Sequence, residues 1–321
     1  MTRSAEIPRP TYVGRHRVPD FFIVGHHKSG TTALYEMLRR HPQIFMPSIK
    51  EPRYMASDLR ALVRPSPASV LPQTLEEYLS LFDAASEDQR VGEASPSYLR
   101  SQTAAGAIAE LQPAARIIAI LREPASFVRS LHLQLLQEHV ELEKDLGRAV
   151  AGEQLERQGR RVRRYADHVH YVEQLRRYHA AFSPEQVLVL IYDDFRADNE
   201  ATVRRVLRFL EVDDQAPIEA LEANPTVGVR SMRADAAVRR LYMGSNPLLR
   251  GARATLKGLI PDRLRGPALA SVRRRVLYGS PPPTDEQVMM ELHRRFKGEV
   301  VALSDYLGRD LVELWGYDGV E

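Results

Sequence analysis

The 321-residue chain contains no cysteine. That absence removes disulfides, thiolate metal sites and cysteine nucleophiles together, and it fits a reducing, cytoplasmic setting. Long apolar runs are missing as well. No stretch reaches the roughly 18 apolar residues that a membrane helix needs, and the opening "MTRSAEIPRPTYVGRHR" lacks the apolar centre of a secretory signal. A soluble chain is therefore expected. Excess charge is also scarce: 45 basic and 42 acidic residues leave a net charge of +3. This mild basicity suits anionic ligands without pointing to nucleic acid, and no nucleic-acid partner is expected. No internal repeat or low-complexity tract occurs. The length allows one large or two small domains with a sizeable core. The expected organisation is a flexible arm over residues 1–17, followed by one domain over 18–321 with elaborated loops.

What is present is a recurring strand-to-helix pattern. "FFIV", residues 21–24, is a short buried-strand run ending at Gly25. From Thr31 the spacing of Leu34, Met37 and Leu38 is helical, and His41-Pro42 ends the helix. "RIIAIL" (116–121) and "QVLVLIYDDF" (186–195) repeat the pattern, each leading into a helical stretch, and "RVGEASPSYL" (90–99) reads as a shorter strand and turn. Strands alternating with helices predict an α/β chain with a central parallel sheet flanked by helices, three layers in all. Ligands in such sheets bind outside the carboxyl ends of the strands. Residues 57–75, rich in Pro and Ser, read as an irregular connection, and 228–275 as a basic helical region.

"GHHKSGTT", residues 25–32, opens the first helix with Gly25 and Gly30 spaced as in a Walker A loop. Its lysine, however, is Lys28 inside the loop, and Thr31 follows Gly30 where a Walker loop has lysine. The loop amides, the positive end of the helix, Lys28, and the hydroxyls of Ser29, Thr31 and Thr32 all suit one anion. A P-loop kinase or NTPase stays open as an alternative, with "VLVLIYDD" as the nearest candidate for a metal-holding acidic strand end. So does a non-catalytic nucleotide-binding protein.

The stretch "FIVGHHKSGTTALYEMLRRHP" resembles the 5′-phosphosulfate loop of sulfotransferases that use 3′-phosphoadenosine 5′-phosphosulfate (PAPS). The similarity is greatest to bacterial carbohydrate and natural-product members and to the heparan-sulfate group. That family usually has a small residue or proline where His26 and His27 stand. "RIIAILREPASFVRSLHL" resembles the family's 3′-phosphate signature, with Arg122 and Ser130 at the matching positions. The segment "IFMPSIKEPRYM" is similar to the one that carries the general base, which maps to Glu51, with Lys50 and Arg53 beside it. "GEASPSYL" resembles a segment placed beside the acceptor, matching at Glu93, Ser95 and Tyr98, but Ala94 replaces that segment's lysine. "NPTVGVRSM" resembles a late loop over the nucleotide, a resemblance that would add Arg230.

The resemblance implies a P-loop-like fold and transfer of a sulfuryl group from PAPS to a hydroxyl, less often an amine. The acceptor would be a carbohydrate, glycolipid or natural product, and the product adenosine 3′,5′-bisphosphate (PAP). It implies Lys28 and Glu51 as catalytic residues. Lys28, Ser29, Gly30, Thr31, Thr32, Arg122, Ser130 and Arg230 would hold the nucleotide, and Arg53, Glu93, Ser95 and Tyr98 the acceptor. No metal is required, because PAP leaves as a stable anion. His168 and His170 are too few for a metal site. The basic region has two readings: solvated helix faces, or an amphipathic cover that makes peripheral contact with an anionic membrane.

Overall fold

The computed structural model describes residues 10–60, 71–138, 140–152, 165–219, 228–229, 278–279 and 285–320. The chain divides into two compact units. The first takes Met1–Phe127, Arg164–Asn224 and Leu292–Glu321; the second takes Val128–Arg163 and Pro225–Glu291.

The first unit is built on a five-stranded parallel sheet. Its strands are β1 (Phe21–Gly25), β2 (Ile44–Phe45), β3 (Arg90–Ala94), β4 (Arg116–Leu121) and β5 (Val187–Ile191). They lie side by side in the order β2-β3-β1-β4-β5, all parallel. Such strands are buried on both faces, so they read as continuous apolar runs. Along β1, Phe21 and Ile23 join a cluster with Leu34, Met37, Leu38 and Val206. Phe22 and Val24 point to the opposite face and are equally buried. On the first face lie α1 (Thr31–Arg39) and, after β5, a helix over Asn199–Phe209. The other helices of this unit include Ala104–Leu111 and Tyr171–Ala181, which pack on each other.

The strand order puts β1 between β3 and β4. The chain builds the sheet first to one side of β1 and then to the other. The loops leaving β1, β3 and β4 therefore open at the topological switch, where α/β sheets bind ligands.

Three local findings refine the sequence reading. The strand expected over 186–195 ends at Ile191, and Tyr192–Ala197 is already helical. Asp193 accepts from Trp315 Nε1 at 3.0 Å and Asp194 pairs with Arg309 at 2.8 Å, so contacts with the chain's end turn this segment. The expected irregular connection over 57–75 contains a turn of helix at Ser57–Arg60; residues 61–70 lie outside the described residues. Of the expected arm, residues 1–9 also lie outside them. Tyr12–Val13 and His16–Arg17 form an antiparallel hairpin, and Arg17 is buried, donating to the carbonyl of Ser86 at 2.6 Å.

The second unit holds most of α2 (Pro124–Gln137), a short helix over Leu146–Ala151 capped by Asp145, and an antiparallel pair of Gly228–Val229 with Tyr278–Gly279. The rest of the basic stretch over 228–275 lies outside the described residues.

Candidate active site

The loop between β1 and α1 is shaped by contacts beneath it. Gly25 has φ 148°, and a Cβ there would stand 2.5 Å from the Ile120 carbonyl oxygen. Strand β4 thus passes too close for any side chain. Gly30, at φ 85°, caps α1, and a Cβ would meet Phe195 at 2.9 Å and Tyr192 at 3.2 Å. Between them Lys28 is held at φ 64°, a left-handed conformation that costs a non-glycine residue about 1–2 kcal/mol. Helix α1 starts without a side-chain cap and without an acidic residue in its first turn. Its leading amides are therefore available to an external anion. Ser29 Oγ is buried and has no hydrogen-bond partner, while Thr31 is buried and Thr32 exposed.

His26 anchors this loop. Its Nε2 meets Gln174 Oε1 at 3.0 Å, and the Gln174 amide nitrogen donates to the His168 carbonyl at 3.1 Å. That second bond sets the amide orientation, so His26 Nε2 carries the proton. The ring lies 4.4 Å from Tyr171 and 4.8 Å from Phe127 between centroids. Burial pushes its pKa down to about 3, so the anchor is a neutral, aromatic one.

Arg122, the first residue after β4, donates through Nη1 to the Lys28 carbonyl at 2.8 Å. Its guanidinium lies 4.9 Å from the centre of the Tyr192 ring, and its own carbonyl accepts from the Tyr171 hydroxyl at 2.9 Å. The neighbouring Glu123 turns its two oxygens to the amides of Ala125 and Ser126, at 2.7 and 2.6 Å, and caps α2. Arg122 is thus left facing the loop with donors to spare.

Glu51 and Arg53 both have positive φ, 60° and 56°. Strain of this kind persists only where the surroundings enforce it. Here Glu51 N–H donates to the Ala94 carbonyl at 3.0 Å, and Arg53 N–H to Ser95 Oγ at 3.1 Å. Glu51 Oε1 takes Lys50 Nζ at 3.0 Å, and Oε2 takes Arg53 Nη2. Burial alone would raise the Glu51 carboxyl, but His27, Lys50 and Arg53 outweigh it and draw it to about 2. His27 is itself held down to about 4, first by burial and then by Arg53, Arg100 and Lys50. At neutral pH the imidazole is uncharged, so Lys50 and Arg53 carry the effect on Glu51 there.

Glu93, Ser95 and Tyr98 are all fully buried. Ser95 Oγ and the Tyr98 hydroxyl accept the amides of Arg53 and Met55, each at 3.1 Å. Glu93 Oε2 accepts from the Tyr78 hydroxyl at 3.0 Å. Burial lifts Glu93 to about 7 against the hydrogen bonds that favour its anion. Ser95 and Tyr98 thus hold the 51–55 loop, Glu93 is tied to Tyr78, and of the four expected acceptor contacts only Arg53 stands partly in solvent.

The structure brings Lys28, Ser29, Gly30, Thr31, Thr32, Glu51, Arg53, Glu93, Ser95, Tyr98 and Arg122 into the first unit. Ser130 belongs to the second, buried on α2. Arg230 lies outside the described residues. Sequence reasoning missed His26, Gln174, Tyr171 and Tyr192 as supports of the loop. No spacing links residues some 150 positions apart, and the unusual double histidine was the one visible signal. Among the described residues no group of three or more His, Asp or Glu side chains is placed to hold a metal, and no helix is long and apolar enough to cross a membrane.

Residues 19–216 match the model of the sulfotransferase family. The chain belongs to that family. Among its relatives, carbohydrate sulfotransferase 15 of Mus musculus is 30% identical over 151 residues, 36% of this chain and 27% of that protein. Heparan sulfate glucosamine 3-O-sulfotransferase 6 of Mus musculus is 30% identical over 134 residues, 42% of this chain and 35% of that protein. The chain thus spans about a third or less of these curated relatives. A crystal structure of a sulfotransferase from Alicyclobacillus acidocaldarius superposes with a TM-score of 0.67, covering 93% of this chain and 98% of that one. At 23% identity this likeness is one of fold, and the fold is the three-layer α/β arrangement expected of the family.

Proposed function

We propose that this member of the sulfotransferase family moves a sulfuryl group from PAPS to a hydroxyl, or less often an amine, of a carbohydrate, glycolipid or natural product, releasing PAP. The observation that carries the reading is the uncapped, acid-free start of α1 with Lys28 inside the loop before it and Arg122 gripping that loop from β4. The names of the relatives support a glycan acceptor. Ala94, where the resembled segment has lysine, speaks against carrying over the heparan substrate itself.

In the reaction, the acceptor oxygen bonds to sulfur as the bond from sulfur to the bridging phosphate oxygen breaks, and the electron pair leaves on that phosphate. Catalysis is then positioning and charge stabilisation. Lys28, the loop amides and the hydroxyls of Ser29, Thr31 and Thr32 stabilise the charge that grows on the bridging and leaving oxygens. On the resemblance, Arg122 and Ser130 grip the 3′-phosphate, and Arg230 joins them. Glu51, anionic at all physiological pH, and Arg53 face the acceptor. No metal is needed for departure of so stable an anion. A cytoplasmic location, suited to a cysteine-free chain, is part of the reading.

The experiment is calorimetry of PAP binding in EDTA. It is followed by sulfuryl transfer from PAPS to a panel of glucosamine oligosaccharides, aliphatic alcohols and phenols. Binding of ATP that requires magnesium, with none of PAP, would instead support the kinase or NTPase reading. Against that alternative, Asp193 and Asp194 are engaged by Trp315 and Arg309. Flotation with anionic vesicles tests the membrane reading of residues 228–275; equal flotation with neutral vesicles ends it.

A further inference from the structure

We propose that Trp315 is a positioning residue for the nucleotide: its indole N–H holds the Asp193 carboxylate away from Arg122 and keeps that guanidinium open to phosphate. The inference rests on the sulfuryl-transfer reading, in which Arg122 meets PAP.

Strands β4 and β5 end together. Leu121 and Ile191 are register partners in adjacent parallel strands, and such strands run about 4.8 Å apart. The next residues, Arg122 and Tyr192, then meet, with the guanidinium 4.9 Å from the ring centre. One residue further stand Glu123 and Asp193, and Asp194 follows. Arg122 thus leaves the sheet among carboxylates. A cation so placed ordinarily closes on one of them, and its donors are then taken. A phosphate would have to break that pair before it could bind.

Each carboxylate is turned to other donors instead, and the end of the chain supplies one to all three. Glu123 takes the Ala125 and Ser126 amides and, on Oε1, the Tyr317 hydroxyl at 2.5 Å, with His293 Nε2 3.7 Å away. Asp194 pairs with Arg309 at 2.8 Å. Asp193 Oδ2 accepts from Trp315 Nε1 at 3.0 Å.

The three ties are not equivalent. Without Tyr317, Glu123 keeps two main-chain amides. Among the described residues, the indole is the one hydrogen-bond donor to the Asp193 carboxylate. Asp193 is therefore the group beside Arg122 that a single change sets loose. Trp315 is itself well fixed. It is buried, its amide donates to the Leu311 carbonyl at 3.0 Å, and Lys297 Nζ holds the Val320 carbonyl beyond it. A neutral donor also leaves the charge on Asp193, which favours the charged guanidinium from a distance without occupying it.

Calorimetry in EDTA compares PAP binding by the full chain with Trp315→Phe, Asp193→Asn and the double change, each shown folded by its melting curve. No binding by the wild type sinks the sulfuryl-transfer reading itself; the variants bear on Trp315 alone. Trp315→Phe keeps an aromatic ring without the donor and should weaken PAP by about threefold or more; a smaller loss overturns the proposal. Asp193→Asn should bind within about twofold of wild type, and the double change should regain that affinity, because a neutral amide forms no ion pair with Arg122. An indole that matters only for packing would leave the double change as weak as Trp315→Phe, and that result also overturns the proposal. The chain has one tryptophan, so its indole N–H signal in NMR needs no assignment. It should move upfield in Asp193→Asn, where the acceptor is weaker; an unmoved signal contradicts the pairing. Should Trp315→Phe fail to fold, Asp193→Glu is read in its place. Its carboxylate, one methylene longer, passes the indole towards Arg122 and should weaken PAP to a similar degree; wild-type affinity there refutes the role.

Discussion

Arg122 Nη1 donates to the main-chain carbonyl of Lys28 at 2.8 Å, so the end of β4 clasps the loop that leaves β1. One planar fork thereby holds the loop's shape and leaves donors for an anion. Arg122→Ala should raise the Kd for PAP at least tenfold, and Arg122→Lys should fall between. A lysine keeps the charge but cannot serve carbonyl and phosphate from one rigid plane. Calorimetry in EDTA checks both; equal affinity of Arg122→Lys and wild type contradicts the clasp.

Lys28 separates function from stability. Its φ of 64° is one that glycine adopts without cost. Lys28→Gly should therefore melt at or above the wild-type temperature, with a gain of up to about 1 kcal/mol, while transfer falls by two orders of magnitude or more. A variant that melts well below wild type would show that the side chain has a structural role.

Gly25→Ala and Gly308→Ala both place a Cβ at positive φ, but only the first meets a wall. At Gly25 the Cβ would stand 2.5 Å from Ile120 O, whereas nothing lies within 4 Å at Gly308. The Gly308 change should cost about 1–2 kcal/mol, the strain alone. The Gly25 change should cost more and displace the loop, abolishing PAP binding. Chemical denaturation beside a PAP titration tells the two apart.

Glu93 should give the protein an inverted pH response. Its folded pKa, lifted by burial to about 7, lies above the unfolded value near 4. Between those values the folded state holds a proton that the unfolded state has lost. Stability should then fall as pH rises, by up to about 1.4 kcal/mol per pH unit, and level off above 7. Glu93→Gln, which still accepts from Tyr78, should remove that slope. An unchanged slope by denaturation at pH 5, 6 and 7 refutes the assignment.

Glu51 works in the opposite sense. Its folded pKa of about 2 is depressed, so its contribution is complete above the unfolded value near 4 and is lost as pH falls through the folded one. Glu51→Gln should be less stable than wild type at pH 7, and the two should converge between pH 4 and 2. The variant should still bind PAP while transfer nearly vanishes.

The fold was largely legible because its signals are local. "FFIVG", "RIIAIL" and "VLVLI" are buried on both faces and so carry continuous apolar runs, and each of them forms a strand of the sheet. Helix α1 begins at Thr31 and ends before His41-Pro42, as its spacing and stop signal indicate. The end of β5 was less legible. Tyr192 suits a strand locally, and the helix there is held by Trp315 and Arg309, more than 100 residues away.

By itself, then, the order of residues determined which segments become strands, where the glycine loop falls and that Lys28 stands within it. These follow from periodicity and from the few residues that tolerate a tight turn. Tertiary structure alone decided what the polar side chains are for. Packing buried Glu93, Ser95 and Tyr98 and gave both oxygens of Glu51 to cations. Burial and neighbouring charge set proton affinity, and neither is a property of the residue's place in the chain.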